Sequence, residues 1–403
     1  MKVKYICALA IIISGEIFSS FAQTWTPVDL PSGGWRGVAT SADGNTLVAS
    51  ATGLVYSSTN GGVNWSTNPT PEYIIPDYGS FHMTLLTLAS SADGKKIASA
   101  SPSGFICTST NSGVTWVTNI VPSALWYAVA SSSDGMKLVA VAGNTDPAGP
   151  IYISTNAGAS WLPTSAPTNH WRSVASSADG TKLIAGSNSD YLYVSTNSGI
   201  SWTPSVLPTN KQWQVACSAD GNKMVAAYYS GGQGNPGHLF TSTNAGIFWT
   251  SNTVISANID ALALSADGNT IVAGSEGGHT SDIFVSRDFG VTWTSNLLSS
   301  DFFNGYVNFV ASSADGGKLI AGTLSGLLYI SQSVSSPHLE LKVSNNLDLN
   351  WTIPSTNFVL QKSSNLSAWA NVTNLPTLNL TNLQNQVTLP MTSSNVFYRL
   401  KTP

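Results

Sequence analysis

The tetrapeptide Ser-Ala-Asp-Gly occurs six times in this chain, at 41–44, 91–94, 177–180, 218–221, 265–268 and 313–316, and Ser-Ser-Asp-Gly adds a seventh copy at 132–135. The seven aspartates, Asp43, Asp93, Asp134, Asp179, Asp220, Asp267 and Asp315, follow one another at intervals of 41 to 50 residues. Self-similarity at that period restricts the chain to stacked or circular repeats, because a unit this small cannot bury its own apolar face. Each copy sits between two β-type runs, such as Trp171-Arg-Ser-Val-Ala-Ser before the turn and Lys182-Leu-Ile-Ala-Gly after it. Two such runs joined by Asp-Gly read as a hairpin, since both residues accept the positive φ of a tight turn.

A second motif follows in six of the units: STNGGVNW at 58–65, STNSGVTW at 109–116, STNAGASW at 154–161, STNSGISW at 195–202, STNAGIFW at 242–249 and SRDFGVTW at 286–293. Its Ser and Asn (Asp288 in the last copy) offer side-chain oxygens to turn amides, its Gly accepts a left-handed backbone, and its Trp anchors the next strand. The octapeptide resembles the Asp-box, the S-x-D-x-G-x-T-W signature of bacterial-neuraminidase-type repeats, with Asn in place of Asp in five copies. Families with such repeats include sialidases, sortilin receptors, photosystem II assembly factors and xyloglucan-degrading glycosidases. The resemblance implies an all-β fold, a seven-bladed β-propeller with four antiparallel strands per blade.

The seventh unit loses the octapeptide after Ser331-Gln332-Ser333, while Thr24-Trp25-Thr-Pro at the start matches the segment that follows an octapeptide elsewhere. The N-terminal strand is therefore expected to complete blade seven. Residues 23–333 give about 44 residues per unit, within the ~40–50 of propeller repeats. Ahead of them, Lys2 and Lys4, the apolar run from Tyr5 to Ile13 and Ser20-Phe21-Ala22 have the layout of a secretory signal peptide over 1–22. Removing it leaves Cys107 and Cys217, three blades apart and read as buried small hydrophobes. Residues 334–337 read as a linker. Residues 338–403 alternate as strands around Trp351 and Trp369, a small β-sandwich that resembles the fibronectin-III-like modules of secreted bacterial proteins.

Strand direction sorts the loops. The Asp-Gly turns and the octapeptides share one face and hardly vary, so they are assigned to structure. The opposite face carries the variable connections, where binding residues usually sit. Counting seven residues back from each turn aspartate gives the position where the inner strand enters beside the channel: Arg36, Leu86, Tyr127, Arg172, Trp213, Asp260 and Asn308. A second polar group gathers in blades five to seven: Tyr228, Tyr229, His238, Asp260, Glu276, His279, Asp282 and Asp301.

Only 9% of the residues are charged and the net charge is −4, which leaves no electrostatic footprint for nucleic acid. No stretch after residue 22 is apolar enough to span a membrane. Sialidase chemistry needs an arginine trio on a carboxylate, but Arg287 lies on the turn face, so only Arg36 and Arg172 can meet over the channel. Neither a cofactor motif nor a metal motif is present. The reading is a secreted, monomeric, non-catalytic propeller that binds a protein or glycan through its variable-loop face. Arg36, Tyr127, Arg172, Trp213, Asp260 and Asn308 are its binding residues. The alternative is an extracellular glycoside hydrolase using a carboxylate pair, Asp260 and Glu276.

Overall fold

A computed structural model describes residues 24–401 apart from 32, 76–78, 120, 123, 144–147, 189, 210, 230–236, 253–254, 256, 276–281, 299–305, 324–325, 334–338, 344–345, 353–358, 380–382 and 391–395. The expected signal peptide and linker fall outside these residues. The described chain is all-β. Seven four-stranded antiparallel sheets follow in order, with inner strands Gly37–Thr40, Leu88–Ser90, Trp126–Ser131, Trp171–Ser176, Gln212–Cys217, Ile259–Leu264 and Val307–Ser312. Each inner strand packs beside the next, and the seventh packs beside the first.

A ring of backbone hydrogen bonds closes the circle. The N–H of Ala42 donates to Ala92, Ala92 to Ser133, Ser133 to Ala178, Ala178 to Ala219, Ala219 to Ala266, Ala266 to Ala314, and Ala314 back to Ala42, all at 2.7–2.9 Å. Each donor is the residue before a turn aspartate, so the repeat places one link per blade. Blade seven is completed from the other end of the chain. The strand Trp25–Pro27 pairs antiparallel with Leu328–Gln332 in the register Trp25↔Ser331, Thr26↔Ile330 and Pro27↔Tyr329.

The second strand of a blade is covered on both faces by neighbouring blades, and Leu47–Ala51, Leu138–Ala142 and Ile271–Ser275 are buried at every position. Alternating large and small side chains (Leu-Val-Ala-Val-Ala in blade three) let adjacent sheets approach without voids. Fully buried tryptophans enter the inner strands of four blades: Trp35, Trp126, Trp171 and Trp213. Each meets a tyrosine edge-on (Tyr56, Tyr152, Tyr193 and Tyr228), with ring centroids 5.2–5.5 Å apart.

The octapeptides fold alike. In the third copy Ser154 Oγ accepts from the Gly158 amide at 2.9 Å, Asn156 Oδ1 accepts from the Ser160 amide at 2.9 Å, and Trp161 Nε1 donates to the Gly158 carbonyl at 3.0 Å. These turns lie against the Asp-Gly turns of their own blades: Ser112 N–H reaches the Lys95 carbonyl, Ala157 that of Met136 and Ser198 that of Thr181. Both sets therefore share one face, as strand direction requires.

Beyond residue 338 two further sheets share one core, in which Leu349, Trp351, Val387 and Leu389 from one sheet meet Leu360 and Leu400 from the other. Trp369 is less central than expected; it lies at the edge beneath the Arg399 guanidinium, 4.2 Å from its ring.

Candidate functional site

The channel widens at the variable-loop end into a cavity of about 610 Å³. Its walls are the first residues of the seven inner strands, and Arg36, Leu86, Tyr127, Arg172, Asp260 and Asn308 all line it. A backbone irregularity explains why these side chains face inward. In blades three, four, six and seven the register of the first two strands slips at Tyr127, Arg172, Asp260 and Asn308, each an extra residue opposite its partner strand. A bulge re-aims the side chain it carries, which frees these four from the packing that holds their neighbours.

Trp213 is the exception and corrects the expectation for blade five. Its strand pairs without a slip, in the register Gln212↔Tyr229, Trp213↔Tyr228 and Gln214↔Ala227. The extra residue is missing there, so counting seven back from Asp220 reaches the buried tryptophan rather than the channel residue. Trp213 is 0% exposed and belongs to the core between blades. Gln212 and Gln214, on the opposite side of the strand, line the cavity instead. The sequence carried the signal: Trp35, Trp126 and Trp171 stand eight residues before their aspartates, and Trp213 stands seven.

Three of the channel residues form one network. Arg172 Nη2 donates to Asp260 Oδ1, and Asn308 Nδ2 donates to Asp260 Oδ2 at 2.7 Å. Both carboxylate oxygens of Asp260 are thus engaged by protein groups, across blades four, six and seven. The Arg172 and Asp260 side chains are only 13% and 11% exposed, so solvent weakens the pair little. Arg36 differs. Among the described residues its side chain makes no hydrogen bond or ion pair; its Nε is buried without a partner, as are Arg172 Nε and Asn308 Oδ1.

Among the described residues, the charged groups lining the cavity are two guanidiniums and one carboxylate. Glu276, the proposed second acid, lies outside the described residues, as do His279 and Asp301. Tyr228 does not reach the cavity; it is packed against Trp213, with Lys211 Nζ 4.7 Å from its ring centre, and burial pushes its phenol up. Among the described residues, no three His, Cys, Asp or Glu side chains come together to hold a metal ion. No helix among them is long and apolar enough to cross a membrane.

The opposite end of the channel is narrower, about 150 Å³, and is lined by small Ser and Ala side chains with Cys217 and Leu383. Cys217 is partly exposed rather than fully buried as expected. Although the residue as a whole is half-buried, desolvation of its sulfur, helped by the nearby Asp220 carboxylate, pushes the thiol up to about 12, and burial does the same to the enclosed Cys107, so neither is a ready nucleophile.

Fold and cavity together define a β-propeller with a polar, partly ion-paired channel mouth. No protein-family model and no curated protein matches the chain. Solved structures do. YCF48 from Cyanidioschyzon merolae aligns over 77% of this chain and 99% of its own, with a TM-score of 0.57 and 16% identity. YCF48 bound to a D1 peptide aligns over 77% and 97%, with a TM-score of 0.56 and 13% identity. A GH74 xyloglucanase from Xanthomonas campestris aligns over 82% of this chain but 60% of its own, with a TM-score of 0.58 and 15% identity. Likeness at these identities is likeness of fold.

Proposed function

We propose that the chain is a secreted binding propeller, exported by its N-terminal signal, that engages a protein or glycan partner through the channel mouth. The octapeptides, read as Asp-box turns, belong to the scaffold. The C-terminal module, read as fibronectin-III-like, serves as a spacer, a surface-retention or sorting unit, or a carbohydrate-binding module. One observation carries the reading: a rigid ring aims polar side chains into the mouth through bulges, and its acid is already committed to Arg172 and Asn308. Hydrolysis by paired carboxylates needs a second acid ~5–10 Å away. Asp260 has both oxygens held by Arg172 and Asn308 rather than free to transfer a proton, which favours recognition over the glycosidase alternative. That the same fold occurs in a protein bound to a peptide and in a xyloglucanase supports both partner classes.

The test is a glycan and peptide array probed with the full chain, followed by reducing-end release assays on each polysaccharide hit. Binding without release, weakened at least ~10-fold by Tyr127→Ala, is expected. Release that Asp260→Asn abolishes would establish the hydrolase instead.

A further inference from the structure

Arg36 and Arg172 both line the channel mouth, at equivalent positions in blades one and four, yet only Arg172 has a carboxylate partner. The Nε of both is buried without a partner, so what separates them is the acid: among the described residues the Arg36 side chain makes no hydrogen bond or ion pair, and its terminal guanidinium nitrogens have no acceptor. We propose that the mouth is a receptor for a single carboxylate on a hydroxylated body, a uronate sugar unit. Arg36 holds the anion, and Asp260 acts as a built-in counter-ion that masks Arg172. This rests on the binding reading above and names its ligand class.

Charge sets the valence. Among the described residues the lining carries a net single positive charge although the whole chain is net −4, so one negative group neutralises it and a dianion overshoots. The planar fork of a free guanidinium fits a carboxylate through two parallel hydrogen bonds. The remaining polar wall is neutral: Tyr127, Gln212, Gln214 and Asn308 offer hydroxyl and amide groups. Asn308 gives one amide N–H to Asp260, while its Oδ1 is buried out of a ligand's reach. Asp260, the one acid in the described lining, is already held through both oxygens by Arg172 and Asn308, which disfavours an ammonium group and hence an amino-acid zwitterion. A cavity of about 610 Å³ lies within the range of small-molecule sites and suits one or two sugar rings.

The masking role reverses the ordinary expectation for Asp260. If Asp260 bound ligand hydroxyls, Asp260→Asn would weaken binding. If it masks Arg172, the same change exposes a second guanidinium and strengthens anion binding.

Titration calorimetry on the full chain tests this, with D-glucuronate and D-galacturonate, their neutral parent sugars, and N-acetylglycine as a peptide-type carboxylate. Uronates are expected to bind better than the neutral sugars. Arg36→Gln is expected to weaken that binding about 10- to 100-fold, the scale of a charge-assisted hydrogen bond, without lowering the unfolding temperature. Asp260→Asn is expected to tighten it; if that variant does not fold, Arg36→Gln and the ligand panel still decide. No measurable uronate binding, or uronate binding unchanged in Arg36→Gln, overturns the proposal. Neutral sugars that bind as well as uronates overturn the anion assignment but leave a binding propeller. Preference for N-acetylglycine overturns the sugar body. Array hits that no channel variant affects would instead remove the channel-mouth reading itself.

Discussion

Five octapeptides hold a residue with a side chain in left-handed backbone: Ser112, Ala157, Ser198, Ala245 and Phe289, with φ between 55° and 59°. Each costs about 1–2 kcal/mol. Each is pinned there because its N–H reaches the carbonyl of the Asp-Gly turn, so the strain fastens one turn to the other. The glycine that follows is left-handed for a harder reason. A Cβ on Gly158 (φ 90°) would sit 3.0 Å from Thr108 Cγ2 and 3.3 Å from Asn119 Nδ2. Ala157→Gly should therefore leave stability unchanged or raise it by up to about 1 kcal/mol, while Gly158→Ala lowers it, as read by urea unfolding. The opposite ranking would refute this account of the turn. The sequence pointed to the glycine but not to its left-handed neighbour, because Ser and Ala advertise no such conformation. Trp213 was misplaced for a related reason: fixed spacing cannot reveal whether a strand carries a bulge. Trp161→Ala should cost about 3–5 kcal/mol, since that indole is buried and hydrogen-bonded.

At the level of elements, the seven Asp-Gly turns share one wiring: the serine two residues before each aspartate donates to it at 2.6 Å. At Asp93, Asp134, Asp179 and Asp220 burial pushes the carboxyl up, but the serine hydroxyl, a following backbone amide and nearby lysines together hold it below its usual value. A depressed folded pKa stabilises above the unfolded value of about 4 and is lost as pH falls through the folded one. The unfolding midpoint should accordingly fall steeply below about pH 4, and Asp134→Asn should flatten that dependence; an unaltered pH profile would contradict the assignment. The closing strand is a second element-scale device. Its Thr24 carbonyl accepts from Ser331 Oγ at 2.7 Å, and Val28 N–H donates to Leu328. Deleting residues 24–30 should lower the single unfolding transition of the whole ring, whereas a mere fraying of one end would argue against closure. That pairing was legible because the two chain ends each lacked what the other supplied. The hairpin Glu72–Ile75 with Gly79–His82, inserted between blades one and two, was not, because it belongs to no repeat. A shortened relative of the octapeptide, Ser363 to Trp369, also escaped notice: it lacks the glycine, and Leu366 takes the left-handed position instead.

For the whole molecule, monotony and variation are segregated to opposite ends of one channel. The turn face repeats because seven similar hydrogen bonds must close a ring. The variable end is relieved of that duty, and there a chain of 9% charged residues places two arginines and an aspartate together. The ring was readable from repetition, but the Arg172–Asp260–Asn308 network was not, since its members are 48 to 136 residues apart and meet only through closure. The central claim is that the channel mouth is where this molecule binds. Backbone hydrogen exchange of the full chain, with and without its strongest array ligand, tests it directly. Protection concentrated at 36–38, 127–129, 172–174, 212–215, 260–262 and 308–310 is the predicted result, and protection confined to the octapeptide turns or to residues beyond 338 would contradict it.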